Sequence, residues 1–435
     1  MAVTLRPDSA TSRPAPHLLV VAVSLAVAGA VAGACGSAAP TAKKHTVNTE
    51  VNTTTTTAGS AGATTTTSAR GAAPTTTTTA AHAAGGCSSG APGGTLSTAC
   101  DTQTPSMQVT GAGANSIQPF FARAFYYYNQ ANHGVSVNYS PVGSSVGVTD
   151  IEQSTVQFGD SEIPIPTPAS GNGGAILQVP VDLGGVALSY NIPGVNGGLK
   201  LDGPTVAGIY LGNITKWNDP AIAGLNPGVN LPSLSIVPVH RADSSGPGYD
   251  LDQYLISTAG GSWTSKCGST PSTHWPGACG GSGGVGQQLN TGVASYIQQT
   301  SGAIGYVEYA YALQANFTNV ALKNQSGSFV TPTQQSIADA GANAVNLSAS
   351  NFNIVNGAGA GAYPLANFSW TLVYQKQSNT NLAIVLGRLF DWVITTGQQH
   401  AAALGYSPLP ANVVTLAHST LLQIQTSSGQ PVFTG

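Results

Sequence analysis

Charge is the scarcest property of this 435-residue chain: 13 Lys and Arg and 16 Asp and Glu make up 7% of it, against roughly 25% in ordinary soluble domains. With a net charge of -3, it has no basic footprint for nucleic acid and no polybasic segment to draw it onto an anionic membrane surface. Long apolar runs are also few. The 41% hydrophobic content is interrupted by 54 Gly and 27 Pro, and a single stretch, Leu18 to Ala34, is long enough to consider as a span. A bundle of transmembrane helices is excluded on that ground. Cysteine is limited to five residues, an odd number that leaves one outside any set of pairs.

What is present begins with an address. Arg6 and Arg13 precede the apolar stretch, which ends Val31-Ala32-Gly33-Ala34 immediately before Cys35. Residues 1–34 therefore resemble a bacterial secretory signal, and small residues before a Cys resemble a lipoprotein processing site that leaves Cys35 lipidated. The competing reading is an uncleaved single-span anchor, because a stretch of about 17 residues is the lower limit for crossing a bilayer. Both place the rest of the chain outside the cytoplasm. Residues 35–105 then change in composition, with threonine runs at Thr53 to Thr57, Thr64 to Thr67 and Thr75 to Thr79. Few large apolar side chains stand there to offset roughly 1–2 kcal/mol per residue of backbone entropy, which predicts a disordered spacer. Its hydroxyls are candidates for O-glycosylation.

With Cys35 assigned to lipid, Cys87, Cys100, Cys267 and Cys279 remain, and four cysteines allow three connectivities. Proximity in sequence favours Cys87 with Cys100 and Cys267 with Cys279. A metal site is the alternative, but neither pair has the C-x2-C spacing of zinc sites and the compartment is oxidising.

Residues 101–435 read as α/β. Strand-like runs at Val135 to Tyr139, Gln178 to Leu188, Ile236 to His240, Ala303 to Val307 and Ser369 to Tyr374 alternate with helix-like stretches. The latter cover Ile117 to Asn129, Gly147 to Gln153, Tyr249 to Ser257, Val285 to Gln299 and Asn381 to Thr396. Three of the helices are preceded by loops of one chemistry: Gly111 to Ser116, Gly143 to Ser145, and Arg241 to Gly248. Small residues admit a ligand to the backbone, free amides at a helix N-terminus carry partial positive charge, and Ser hydroxyls add rotatable donors. Three such loops, one carrying an Arg in a chain so poor in bases, point to an oxyanion cradle.

These loops and the text around them resemble the phosphate-binding proteins of bacterial phosphate ABC transporters, the PstS type. The matching stretches are TGAGANS (110–116), VGSSVGV (142–148), TVQFGDSEIP (155–164), GIYLGNITKWNDPAI (208–222), VHRADSSGPG (239–248), GAIGYVEYAYA (302–312) and FDWVITTG (390–397). They run in family order over about three quarters of the chain. The resemblance implies a type II periplasmic-binding-protein fold: two α/β lobes joined by a two-strand hinge that closes on the ligand. Lobe 1 is expected over 107–188 and 366–435, lobe 2 over 189–365. The expectation that follows is a monomer, with no cofactor, metal or catalytic residue, that captures inorganic phosphate and passes it to membrane permease and ATPase subunits.

Carried over residue by residue, Ser144 matches the donor serine of the second loop, Arg241 the arginine that contacts phosphate, and Ser245 with Gly246 the donors of the third loop. Asn115 and Ser116 stand where the family has a hydroxyl residue followed by a backbone amide donor; Asn115 departs from a hydroxyl, although its NH2 can donate instead. Glu162 takes the place of an Asp. An ionised carboxylate only accepts hydrogen bonds, so it favours phosphate, which keeps a proton, and repels sulfate, which has none. Being one methylene longer, Glu162 must fold back or the anion must shift, and Asp160 is a fallback acceptor. Pro247 replaces a Thr and supplies neither amide nor hydroxyl.

Plainer readings compete at each position. Ser144 and Ser245 can be ordinary N-caps, Arg241 can pair with Asp243 or Asp250, and Glu162 can be a solvated loop charge. His240 is expected to point away from Arg241 along a strand. Alternatives at the level of function are another oxyanion, an adhesive surface lipoprotein, and a phosphatase, the last disfavoured because no His is placed to activate Ser144 or Ser245.

Overall fold

The computed structural model describes residues 104–433 apart from 166–167, 277–283, 346, 349–350 and 352. The signal-like stretch, Cys35, the threonine runs, Cys87, Cys100 and Cys279 lie outside the described residues.

Strand Gly174–Tyr190 is the axis of the fold. It is an apolar run with few breaks, and it is buried from Ile176 to Tyr190 because helices pack on its faces. Its first part, Ile176 to Gly185, pairs antiparallel with Ala366–Tyr374; its last part, Val186 to Tyr190, pairs antiparallel with Ala303–Glu308. The change of partner at Gly185 and Val186 divides one sheet into two arms. In the first arm the order runs outward from Gly174–Tyr190 through Ala366–Tyr374, Phe158–Ser161 and Met107–Gly113 to Val135–Ser140. The last three are mutually parallel. In the second arm Ala303–Glu308, Val237–Arg241 and Val285–Gln287 follow one another in parallel.

Helices form where apolar periodicity and end signals coincide. Thr380–Ile394 buries Leu382, Val385, Leu386, Leu389, Phe390 and Val393, and its N-cap Asn379 accepts from the Leu382 amide at 2.8 Å. That helix meets Gln118–Ala131 over an aromatic cluster, with Phe121 stacked on Phe125 at 4.7 Å and Phe158 edge-on to Phe390 at 5.1 Å. Two expectations need correcting. Val285 to Gln287 is an edge strand paired with Val239 to Arg241, and the helix expected from Val285 begins only at Leu289. The second helix starts earlier than expected, as Ser144–Glu152, with Gly143 as its N-cap.

In both arms the carboxyl ends of the parallel strands face a common crevice, the place where open α/β sheets bind ligands. Met107–Gly113 runs into Asn115 and Ser116, Val135–Ser140 into Ser144, and Phe158–Ser161 into Glu162. From the other arm, Val237–Arg241 ends on Arg241 itself and Ala303–Glu308 on Glu308.

Candidate functional site

The second loop is fixed by glycine. Gly143 has φ 101°, a left-handed conformation that a side chain resists, and its amide donates to Gly113 O at 2.8 Å. One turn on, Gly147 lies so close to the first strand that an added Cβ would overlap Gly113 Cα and stand 2.7 Å from Ala112 O. Together they press the N-terminus of Ser144–Glu152 into the crevice. Ser144 is buried, and its hydroxyl accepts from the Glu162 amide at 3.4 Å. It does not cap its helix, so that reading of Ser144 is set aside.

Ser245 does act as an N-cap: its Oγ accepts from Gly248 N at 3.1 Å at the start of Gly246–Ala259. Capping uses a lone pair and leaves the hydroxyl hydrogen free to turn toward a ligand. Pro247 occupies the first turn of this helix. Arg241 is 1% exposed; its backbone amide donates to Tyr306 Oη at 2.9 Å, and its Nε donates to Asp243 Oδ1 at 2.8 Å. Its Nη2 also donates to Asp243 Oδ2, making the pair bidentate. Of the two expected partners the structure selects Asp243, whose carboxyl is partly desolvated yet held below its usual range by Arg241. His240 turns its ring onto Trp275, 5.5 Å away.

The two arms touch across the crevice. Asn115 Oδ1 accepts from Asn290 N at 2.9 Å, and Tyr311 Oη donates to Asn115 O at 2.9 Å. The Ser145 and Ser244 hydroxyls share a hydrogen bond. Because Asn290 occupies Oδ1, the Asn115 amide group is oriented with its NH2 as the remaining donor. Ser116 is buried, its carbonyl accepts from Tyr406 Oη, and its Oγ makes no hydrogen bond of normal geometry among the described residues. That hydroxyl nonetheless lies near enough to Glu162 to favour the charged carboxylate.

Glu162 is 4% exposed, which rules out a solvated loop charge. Oε1 accepts from Asn367 Nδ2 at 3.1 Å, and Oε2 has no partner among the described residues. An added Cβ on Gly246 would overlap Oε2, so this carboxylate reaches across the crevice to the first residue of the Arg241-loop helix. Burial pushes its pKa up to about 7 against the opposing pull of Ser116, Arg241 and Asn367. Asp160 faces the sheet instead: Ser369 Oγ donates to it at 2.7 Å and Thr371 Oγ1 at 3.5 Å. Both of its oxygens are engaged within the first arm, and burial raises its pKa well above the ordinary value.

Three further acids lie near the crevice: Asp182 and Glu308, which carry no expectation from sequence, and Asp250, expected only as an alternative partner of Arg241. Asp182 accepts from Ser369 N at 3.1 Å, where the ladder between the two long strands slips by a residue; burial, with Glu162 adding to it, pushes its pKa up to about 8. Glu308 Oε1 accepts from Gly185 N at 2.8 Å, at the change of partner, while Oε2 is buried without a partner among the described residues. Asp250 Oδ2 accepts from Asn367 Nδ2 at 2.9 Å. Burial and the Glu162 charge raise the pKa of Glu308 and Asp250 well above the usual carboxylate range. Each of these shifts favours the neutral acid, so the cluster opposes an anion less than its formal charge suggests.

Two arms of parallel strands whose carboxyl ends meet at a crevice, with the long strand Gly174–Tyr190 running through both and the chain returning to the first arm at Ala366, define the type II periplasmic-binding-protein fold with two lobes. A sequence model described as a PBP superfamily domain matches residues 51–396. The phosphate-binding protein PstS of Xylella fastidiosa (strain Temecula1) is 39% identical over 315 residues, 72% of this chain and 84% of that protein. PstS of Pasteurella multocida (strain Pm70) is 37% identical over 314 residues, 72% of this chain and 89% of that protein. Among solved structures, a high-affinity periplasmic phosphate-binding protein with bound phosphate superposes with a TM-score of 0.58 at 18% identity, covering 76% of this chain and 96% of that one. The chain belongs to the PstS family of phosphate-binding proteins.

Proposed function

We propose that the chain is an extracytoplasmic, non-enzymatic receptor that captures inorganic phosphate between its two lobes and passes it to membrane permease and ATPase subunits. The observation that supports this most is the meeting, around the buried Glu162, of Arg241 and donors whose hydrogens are not used in the fold. Ser144 and Ser245 each have one lone pair engaged and a hydroxyl proton to give, and Asn115, whose side chain also meets Tyr311, has a second NH2 hydrogen to offer. Arg241 uses Nε and Nη2 on Asp243, so one edge of its guanidinium is fixed and the opposite edge is directed by it. With Ser116 and the Gly246 amide, these residues form a cradle of donors and one acceptor, Glu162, suited to an oxyanion that retains a proton.

Lobe 1 spans 107–188 with 366–435 and lobe 2 spans 189–365; the change of partners in the long strand at Gly185 and Val186, three residues before that boundary, supports a crossing in this stretch. Residues 1–34 serve for export, Cys35 carries lipid at the outer face of the cytoplasmic membrane, and the threonine-rich segment lets the lobes reach into the envelope. Cys267, at the end of Gly261–Cys267, pairs with Cys279, and Cys87 with Cys100.

Isothermal titration with phosphate tests the reading: saturable binding is expected, lost in Arg241→Ala and not competed by sulfate. Equal affinity for the two anions removes the role given to Glu162. A second reading, a different oxyanion, is favoured by one observation, the absence of both donors at Pro247; titration with arsenate, sulfate and molybdate separates the two.

A further inference from the structure

Glu162 is longer than the carboxylate it replaces, and a longer arm has more rotamers in which its oxygens miss the ligand. Something must hold it. Asn367 is the second residue of strand Ala366–Tyr374 and pairs with Gly184 on the long strand. It is buried, and its Nδ2 donates to two carboxylates, Glu162 Oε1 at 3.1 Å and Asp250 Oδ2 at 2.9 Å. An amide NH2 has two hydrogens, so these bonds use both, and they fix which end of the amide is nitrogen. The acids it joins come from opposite sides of the crevice: Glu162 follows strand Phe158–Ser161, and Asp250 lies in helix Gly246–Ala259.

The consequence falls on the other oxygen of Glu162. With Oε1 tied to Asn367, the carboxylate cannot turn that oxygen toward the crevice. Oε2 is left buried, unpartnered among the described residues and against Gly246, whose amide belongs to the donor cradle. Space for the arrangement comes from Gly184, where an added Cβ would stand 3.2 Å from Asn367 Oδ1 and overlap Glu308 Oε1. Beside Glu162, Asp250 and Asn367 lies a cavity of about 10 Å³, at the lower limit for holding one water.

We propose that Asn367 is a specificity-determining positioning residue: by tying Glu162 Oε1 to Asp250 it aims Oε2 at the bound oxyanion, so that the site accepts anions carrying a proton and rejects those without one. This rests on the role given above to Glu162. A residue needed only for folding would, when replaced, alter stability and weaken phosphate and sulfate alike; a residue that aims the acceptor changes their ratio.

The test is titration of the chain with phosphate and with sulfate, as wild type, Asn367→Ala, Asn367→Ser, Asn367→Asp and Glu162→Gln, each first shown to melt cooperatively. Asn367→Ala is expected to weaken phosphate about tenfold, the loss of one hydrogen bond to a charged group, and to lower the phosphate-to-sulfate ratio at least tenfold. Asn367→Asp, equal in shape but an acceptor facing two acids, is expected to do worse. Asn367→Ser keeps a donor and is expected to fall between Asn367→Ala and wild type; it stands in for Asn367→Ala if that variant does not fold. A wild-type ratio in the folded Asn367 variants, with the ratio collapsed in Glu162→Gln, overturns this proposal alone. An unchanged ratio in Glu162→Gln as well overturns the role of Glu162 and this proposal with it.

Discussion

Arg241 shows how a single charge is made useful in a chain with few of them. Asp243 binds it through both oxygens, and the same Asp243 Oδ1 also accepts from Leu289 N at 3.0 Å, so the guanidinium is held in one orientation before any ligand arrives. Lysine keeps the charge but cannot reproduce the two-bonded fork. Arg241→Lys is therefore expected to retain some phosphate binding, weakened by about ten- to a hundredfold, with Asp243→Asn producing a similar loss without touching the ligand. Titration of both variants checks this, and a near-native affinity in Asp243→Asn contradicts the orienting role. Pro247 offers the opposite test. It stands in the first turn of Gly246–Ala259, where an amide would point into the crevice, and each hydrogen bond to a charged group is worth roughly 1.5–3 kcal/mol. Pro247→Thr is expected to tighten phosphate binding at least tenfold; unchanged affinity means that the ligand does not reach this turn.

At the scale of the element, the helix Ser144–Glu152 matters through where its first turn stands. Its closeness to the first strand depends on Gly147, at which a side chain meets backbone rather than a side chain that could move aside. Gly147→Ala is expected to lift the helix N-terminus with Ser144, costing about 1–3 kcal/mol of stability and at least tenfold in phosphate affinity. Chemical denaturation with titration measures both, and loss of stability with native affinity would show that Ser144 is not a ligand donor. Such elements were legible in sequence because their signals are local: the Gly-Ser loops, the cap at Ser245, the apolar face of Thr380–Ile394. Val285 to Gln287 was misread because a three-residue edge strand running into a helix presents no period of its own. The hinge was the least legible part. Asn367, Asp182 and Glu308 stand on strands that look purely apolar around them, and their meeting with Glu162 is made by pairing between residues more than a hundred positions apart. One signal was available: a charge such as Asp182 inside the apolar run Gln178 to Leu188 is costly unless it is engaged.

For the whole molecule, scarcity of charge changes meaning once burial is known. Residues 101–435 hold 22 charged side chains, 8 of them basic, and Asp160, Glu162, Asp182, Asp250 and Glu308 are all buried at or near the crevice. Among the described residues Arg241 is the one buried base. A fold that buries five acids and a single base is most stable when most of those acids keep their protons. Burial favours this for Asp182, raised to about 8, and for Asp160, Asp250 and Glu308, raised as well, while Glu162, raised to about 7, is half ionised near neutral pH and so able to act as an acceptor. In the unfolded chain the same groups release their protons near pH 4. Between that value and the folded pKa the native state binds more protons than the unfolded state, so stability falls as pH rises. Asp243, held down by Arg241, acts in the other sense only as pH falls below about 4. The ligand-free protein is therefore expected to be most stable in mildly acidic solution and to lose on the order of 5 °C in melting temperature between pH 5 and 8.5. Calorimetry in phosphate-free buffers gives the slope. Asp182→Asn imitates the neutral acid and is expected to flatten it, leaving the pH 5 value within a few degrees of wild type; a melting temperature that climbs toward pH 8.5 would mean that these acids are ionised in the fold and that the crevice is as negative as its composition.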